Sequence, residues 1–243
     1  MADRFYCRNL SEPTALLSES EAHHAIHVMR VKPGAQLELF NGAGTAATAR
    51  VRDIRRNAVE LEICSRSVVE KPDHGLLSLA AVPPKGERLK WMVEKLTELG
   101  VDEFIPLRCR RAVVDPRPAR LEKLSATVVS ASKQCGRNWL MQIADPMDLP
   151  DLLASAADLK RTTLMAHPGS YPTLNEALAT PSPHCLVVIG PEGGFTDDEV
   201  MLAEKAGVGL FSRAGSILRA ETAAIAFAAI AMAVRSGQMS ERC

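Results

Sequence analysis

The chain has 243 residues, 47% of them hydrophobic, and a formal net charge of zero. That length allows a large core or two domains, the apolar share excludes a disordered chain, and the neutral balance leaves any nucleic-acid or lipid binding to local patches. Six scattered cysteines form no C-x-x-C pair and read as small side chains, most of them buried, in a reducing compartment. The opening MADRFYCRNL has no apolar signal core, and the longest apolar run, Ala223 to Val234, is shorter than a bilayer span. A soluble, cytoplasmic protein with no membrane association is the expectation.

Up to about Val69 the chain reads as a small β-rich unit. Glu19 to Val31 has the pattern of one helix ended by Pro33-Gly34. Gln36 to Phe40 alternates and turns at Asn41-Gly42, and Ala47 to Ile54 and Ala58 to Ile63 are two further strands. Short strands around one helix point to a small barrel. Residues 69–75, polar and broken by Pro72 and Gly75, read as a linker.

Beyond it the pattern becomes strand, helix, strand. Leu76 to Val82 is an apolar strand, and Leu89, Met92, Val93, Leu96 and Leu99 share a helical face closed by Gly100. Glu103 to Leu107 is a strand, and a helix opens at Pro118 and runs to about Cys135. Helices are expected at Asp148 to Leu159, Leu174 to Leu178 and Thr196 to Ala206, the last with a Thr196–Glu199 capping box. Strands are expected at Thr162 to Ala166, His184 to Ile189 and Gly209 to Phe211. The final helix, from about Glu221 to Arg235, is apolar on nearly every side and is expected to be buried all round, by its own chain or by a second subunit. This alternation gives an α/β domain with a mostly parallel sheet and helices on both faces.

Two glycine-bearing loops follow strands near the end: Gly190-Pro191-Glu192-Gly193-Gly194-Phe195-Thr196, and residues 212–222, SRAGSILRAET. The first lacks the Lys-Ser/Thr of a P-loop and the spacing of a dinucleotide fingerprint. Glycine backbone can approach a ligand closely and read an adenine edge, while Ile189, Leu210, Ile217 and Leu218 could enclose its ring. A plain turn before a capped helix fits the same spacing.

These loops, with Ile217-Leu218-Arg219-Ala220-Glu221-Thr222-Ala223, resemble the signature pair of the RsmE family of bacterial 16S rRNA uridine-N3 methyltransferases, in the SPOUT superfamily. The resemblance spans the chain. His24 to Val31 with Gly34, Pro84 to Arg88, Glu94 to Gly100 and Gln134 to Asn138 match in order. Lys133, where the family pattern has Glu, and Arg108 to Arg111 depart from it. The resemblance implies a PUA-like RNA-binding β-barrel over residues 1–70 and a SPOUT methyltransferase domain over 76–237, with a trefoil knot in its C-terminal part. It further implies S-adenosyl-L-methionine as cofactor, 16S rRNA or the small ribosomal subunit as partner, and a homodimer. A noncatalytic ribosome-assembly protein keeping the fold, and a nucleotide-dependent enzyme, remain alternatives.

The cofactor-binding candidates are Ile189, Gly190, Pro191, Glu192, Gly193, Gly194, Leu210, Ser212, Ile217, Leu218, Arg219, Thr222 and Ala223. Methylation at uracil N3 calls for loss of a proton and stabilisation of ring charge, for which Glu221 and Arg219 are the catalytic candidates. Glu221 equally fits a first-turn carboxylate facing the helix dipole. Candidate RNA-contacting cations are Arg4, Arg8 and Arg30 in the barrel, and Lys85, Arg88, Arg108, Arg110, Arg111, Lys133 and Arg137 beyond it. No metal is required; His23 and His27 share a helical face without further ligands.

Overall fold

The computed structural model describes residues 3–71, 75–116, 121–180, 182–212 and 216–240, with side chains of the last stretch to 237. The proposed helix start at Pro118, the linker residues 72–74, Arg213 to Gly215 in the second loop and Cys243 lie outside the described residues. The chain divides into two compact units, Met1–Lys71 with Val129–Leu140, and Pro72–Val128 with Met141–Cys243.

The first unit holds a five-stranded sheet of β1 (Arg4–Tyr6), β2 (Thr14–Ser18), β3 (Gln36–Phe40), β4 (Thr45–Arg55) and β5 (Ala58–Val68), in the order β1-β3-β4-β5-β2. All neighbours are antiparallel except β1 beside β3. Two register shifts in the long β4–β5 pair bend and twist the sheet. Its alternating inward residues, among them Phe5, Leu17, Leu37, Leu39, Val51, Val59 and Leu61, form one core with Ala22 and Ala25. Those alanines come from α1 (Glu19–His23), which continues as a π-helical turn over His24–Val28.

Residues 129–140, which sequence reasoning assigns to the second domain, are built into this unit. Gly44 N–H donates to Asn138 O at 3.1 Å and Leu140 N–H to Gly42 O at 3.0 Å. The Trp139 indole N–H donates to Val69 O at 2.9 Å.

The second unit is organised by a parallel sheet. Its strands are β6 (Leu76–Ala81), β7 (Glu103–Arg108), β8 (Gln142–Ile143), β9 (Met147–Asp148), β10 (Thr162–Ala166), β11 (His184–Ile189) and β12 (Gly209–Phe211). The order is β12-β10-β11-β6-β7-β8, with β9 also on β7, and every pair is parallel. The helices are α2 (Glu87–Glu98), α3 (Leu124–Cys135), which starts in this unit and ends among residues 129–140 of the first, α4 (Leu149–Asp158), α5 (Leu174–Ala177), α6 (Asp197–Lys205) and α7 (Ala220–Ser240). β11 is buried along Cys185–Ile189, as its unbroken apolar run requires of a strand covered on both faces.

α7 differs from expectation in length and cover. It extends to Ser240, so it is the one described helix long and apolar enough to cross a membrane. It nevertheless packs on α2, α5, β6 and β11 and carries buried Glu221 and Arg235, as a core helix does. Burial is one-sided: Ala223, Ala224, Phe227, Ala228 and Ala231 face inward, whereas Ala233 is exposed and Ile230 is 36% exposed. Within one chain the sheet and its neighbouring helices cover only that inner stripe. Phe227 anchors the stripe edge-to-face on Phe211, with ring centroids 4.9 Å apart, a pairing worth about 1 kcal/mol beyond its burial.

Candidate functional site

Because every strand of the second sheet runs the same way, all its carboxyl-terminal loops open at one end, the usual ligand end of α/β sheets. The first glycine loop leaves β11 and the second leaves β12. Those two strands are not adjacent. β10 stands between those strands, with Val188 beside Met165 and Phe211 beside Ala166. Two strand spacings put the loops' origins roughly 10 Å apart.

The loop after β10, residues 167–173, fills the middle position and was not singled out from sequence. Ser212 N–H donates to Pro172 O at 2.9 Å, and its hydroxyl donates to Tyr171 O at 2.9 Å. His167 N–H donates to Phe211 O at 2.9 Å. The His167 ring sits edge-to-face on Tyr171, and its Nδ1 is buried with no partner. A His-Pro-Gly run after a strand was the available signal; only the strand order makes it central.

The first loop is held from several directions. Gly194 N–H donates to Pro191 O at 2.8 Å. Arg111 donates from Nη1 to Gly193 O at 2.8 Å and to Phe195 O at 3.2 Å. The expected capping box is present: Thr196 Oγ1 accepts from Glu199 N–H, and Glu199 Oε2 accepts from Thr196 N–H at 2.8 Å. Glu199 is buried, and its other oxygen accepts from Arg110 N–H at 2.8 Å. Gly190 lies so close to Phe195 that a Cβ would sit 2.9 Å from its ring. Gly194, at φ +68°, has open space where a Cβ would point. Glu192 and Gly193 are exposed, and Pro191 is buried.

The described residues of the second loop differ in exposure. Ile217 is 82% exposed. Arg219 and Thr222 are exposed, Ser212, Leu210 and Leu218 half-buried, and Ile189 and Ala223 buried. Glu221, in the first turn of α7, is sunk to 5% side-chain exposure, and its Oε1 accepts from Arg88 Nη1 at 3.2 Å.

The candidate RNA-contacting cations fall into two groups. Arg4 is 7% exposed; it pairs with Glu38 at 3.3 Å, donates to Ser132 O, Arg137 O and Asn138 Oδ1, and stacks over Phe40. Lys133 pairs with Glu21 at 2.9 Å. Both brace residues 129–140 against the first sheet, a role that long-range pairing hides from sequence. Arg137 is half-buried and also interacts within the protein. Arg108 pairs with Asp115 at 3.1 Å and Arg110 with Asp198 at 3.7 Å. Arg8, Arg30, Lys85, Arg110 and Arg111 are exposed. Arg108 and Arg110 line a hollow of about 340 Å³ beside α4 and α6. Cys109 in its wall has its thiol pushed up to about 11 by burial and then by Glu199, which disfavours a thiolate nucleophile. Cys7 and Cys185 are buried, but Cys64 and Cys135 are exposed. Among the described residues, no group of three or more His, Cys, Asp or Glu could hold a metal ion. The His23 and His27 rings lie 4.7 Å apart.

An RNA methyltransferase domain matches residues 71–232, and an RNA methyltransferase PUA domain matches residues 17–64. Ribosomal RNA small subunit methyltransferase E of Bacillus subtilis is 30% identical over 224 residues, spanning 87% of this chain and 86% of the relative. The chain belongs to the ribosomal RNA small subunit methyltransferase E family.

Structures agree with that placement. The family member from Neisseria gonorrhoeae, bound to S-adenosyl methionine, superposes with a TM-score of 0.84 at 27% identity, over 99% of this chain and 98% of that one. A Legionella pneumophila methyltransferase in complex with S-adenosylmethionine also gives 0.84, at 30% identity and 98% coverage of both chains. The family's two-part build, a PUA region followed by a mixed α/β domain with a parallel sheet, is the one described above.

Proposed function

We propose that this protein transfers a methyl group from S-adenosyl-L-methionine to N3 of a uridine in 16S rRNA of the small ribosomal subunit. Family membership supports the reaction class, and one observation on this chain carries the site assignment. Three glycine-bearing loops at one end of a parallel sheet leave an apolar side chain, Ile217, 82% exposed. The residues fit an adenosine ligand. Gly194 leaves open space where a Cβ would point, exposed Ile217 and half-buried Leu210 and Leu218 offer apolar cover, and His167 Nδ1 is a buried polar atom without a protein partner.

When bound, the cofactor supplies an activated sulfonium methyl group. The protein then has to orient the base, accept the imide proton and stabilise charge on the uracil ring. Arg219, exposed beside the second loop, is placed to stabilise a uracil carbonyl oxygen, and Glu221 to take the proton. Residues 190–194, Leu210, Ser212 and residues 217–223 hold the methyl donor. Arg8, Arg30, Lys85, Arg108, Arg110 and Arg111 are the cations left for RNA phosphates, and the target base leaves its stack to react. Acting on ribosomal RNA places the enzyme in the cytoplasm. Residues 1–70 form the RNA-binding domain and residues 76–237 the SPOUT domain, whose C-terminal part is a trefoil knot. The outer stripe of α7, with Ala226, Ala229, Ile230 and Ala233, is covered by a second copy in a homodimer.

Mass mapping of 16S rRNA from a strain lacking this gene, with and without the gene restored, tests the reaction. One uridine should gain a methyl group at N3 only on restoration; an unchanged map would refute the assignment.

A further inference from the structure

The first turn of α7 carries a feature that helix capping does not explain. Glu221 is 5% exposed at its side chain, yet only one carboxylate oxygen is satisfied. Oε1 accepts from Arg88 Nη1 at 3.2 Å, while Oε2 is buried with no hydrogen-bond partner. An unpaired buried carboxylate oxygen costs on the order of 1–3 kcal/mol or more. Complementing the helix dipole alone leaves that unpaired oxygen unexplained.

Topology explains why the pair lies at the ligand end of the sheet. Arg88 is in the first turn of α2, which follows the loop leaving β6. Glu221 is in the first turn of α7, which follows the loop leaving β12. β6 and β12 are separated by β11 and β10, so the ion pair bridges across the carboxyl ends of the strands that carry the other two loops. α7 accordingly packs on α2, β6 and β11.

We propose that Glu221 Oε2 is the proton acceptor for the uracil imide, and that Arg88 is a positioning residue that fixes Glu221 through Oε1 and leaves Oε2 to the substrate. This rests on the methyltransferase reading and assigns Arg88 to the pair rather than to an RNA phosphate. The balance is simple. The N3–H bond breaks and an O–H bond forms at Oε2; the electron pair left on N3 would bond the methyl carbon as the donor's carbon–sulfur bond breaks, that bond's electron pair staying on the sulfur of the departing demethylated cofactor. The carboxyl group then returns its proton to water. Arg88 is 43% exposed at its side chain, whereas Oε2 is buried, so the pair opens for the uracil imide to reach that oxygen.

Four variants and three measurements test this. Glu221→Gln keeps shape and one acceptor but no base. It should lower kcat on small subunits from the deletion strain by about 100-fold or more. KM, calorimetric affinity for S-adenosylmethionine and thermal stability should stay near wild type. Arg88→Met should lower kcat about tenfold and also lower Tm, because it leaves a buried carboxylate without its compensating charge. Arg88→Lys should restore most of both, and Arg88→Met with Glu221→Gln should recover Tm. Wild-type turnover by Glu221→Gln would overturn the proposal. So would a tenfold loss of cofactor affinity in that variant, which would make the carboxylate a cofactor ligand, or a double variant no more stable than Arg88→Met. If the wild-type protein itself leaves the subunits unmethylated, the methyltransferase reading fails instead.

Discussion

The two glycine-bearing loops sit at the same end of one sheet but are held in different ways. The first is pinned by Arg111, by the Thr196–Glu199 box and by Glu199's bond to Arg110 N–H. The second is tied near its start to the β10 loop through Ser212, and then presents Ile217 and Arg219 to solvent. A cradle braced in advance keeps its shape without ligand, so changes to its braces register as lost stability. A loop with outward side chains gains its cover on binding, so changes there register as lost affinity with the fold intact.

The largest expected effect breaks the brace. Glu199→Ala removes a buried carboxylate that accepts from Arg110 N–H and from Thr196 N–H and Oγ–H. It should cost about 3 kcal/mol in denaturant unfolding and weaken cofactor binding as well. Next is Gly190→Ala, whose new Cβ meets the Phe195 ring at 2.9 Å. Overpacking of that kind costs about 1–3 kcal/mol, and calorimetry should show binding weakened roughly 5- to 100-fold. Ile217→Ala sharpens the contrast. With its side chain already in solvent, thermal stability should hold, while cofactor affinity falls about tenfold through lost apolar cover. Equal loss of stability from Ile217→Ala and Glu199→Ala would erase the distinction.

A smaller effect tests the second capping box, at Thr173. The Thr173 backbone N–H, and then its hydroxyl, hold the Glu176 carboxyl below its ordinary value of 4.5. A carboxylate with a lowered folded value stabilises the protein above its ordinary range, and that contribution disappears as pH falls through the lowered value. Thr173→Val should therefore flatten the loss of Tm below pH 4.5 slightly and lower Tm a little near neutrality, as a lost N-cap does.

Much of the second unit could be read directly. The strands Thr162–Ala166, His184–Ile189 and Gly209–Phe211 and the Thr196–Glu199 box carry local signals, an apolar run or a cap at fixed spacing, and were found where expected. What escaped was set by distant pairing. β1 and β2 are defined by their pairing with β3 and β5, which no local pattern encodes. Residues 129–140 belong with the first unit through bonds to Arg4, Gly44 and Val69 that no local pattern encodes. The same holds for the site. Glycines and Ile217 could be named from the string, but the β10 loop between them, and Arg88 against Glu221, depend on strand order. Arg4, Lys133 and Arg88 looked like free cations because sequence shows a charge and conceals its partner.

Titration calorimetry of the wild-type protein with S-adenosylmethionine, repeated in excess ATP, tests the central claim most directly. Saturable binding at one site per chain that survives ATP and is lost or weakened in Gly190→Ala is the predicted result. No binding heat at any accessible concentration, or displacement by ATP, would contradict a methyl-donor site at these loops.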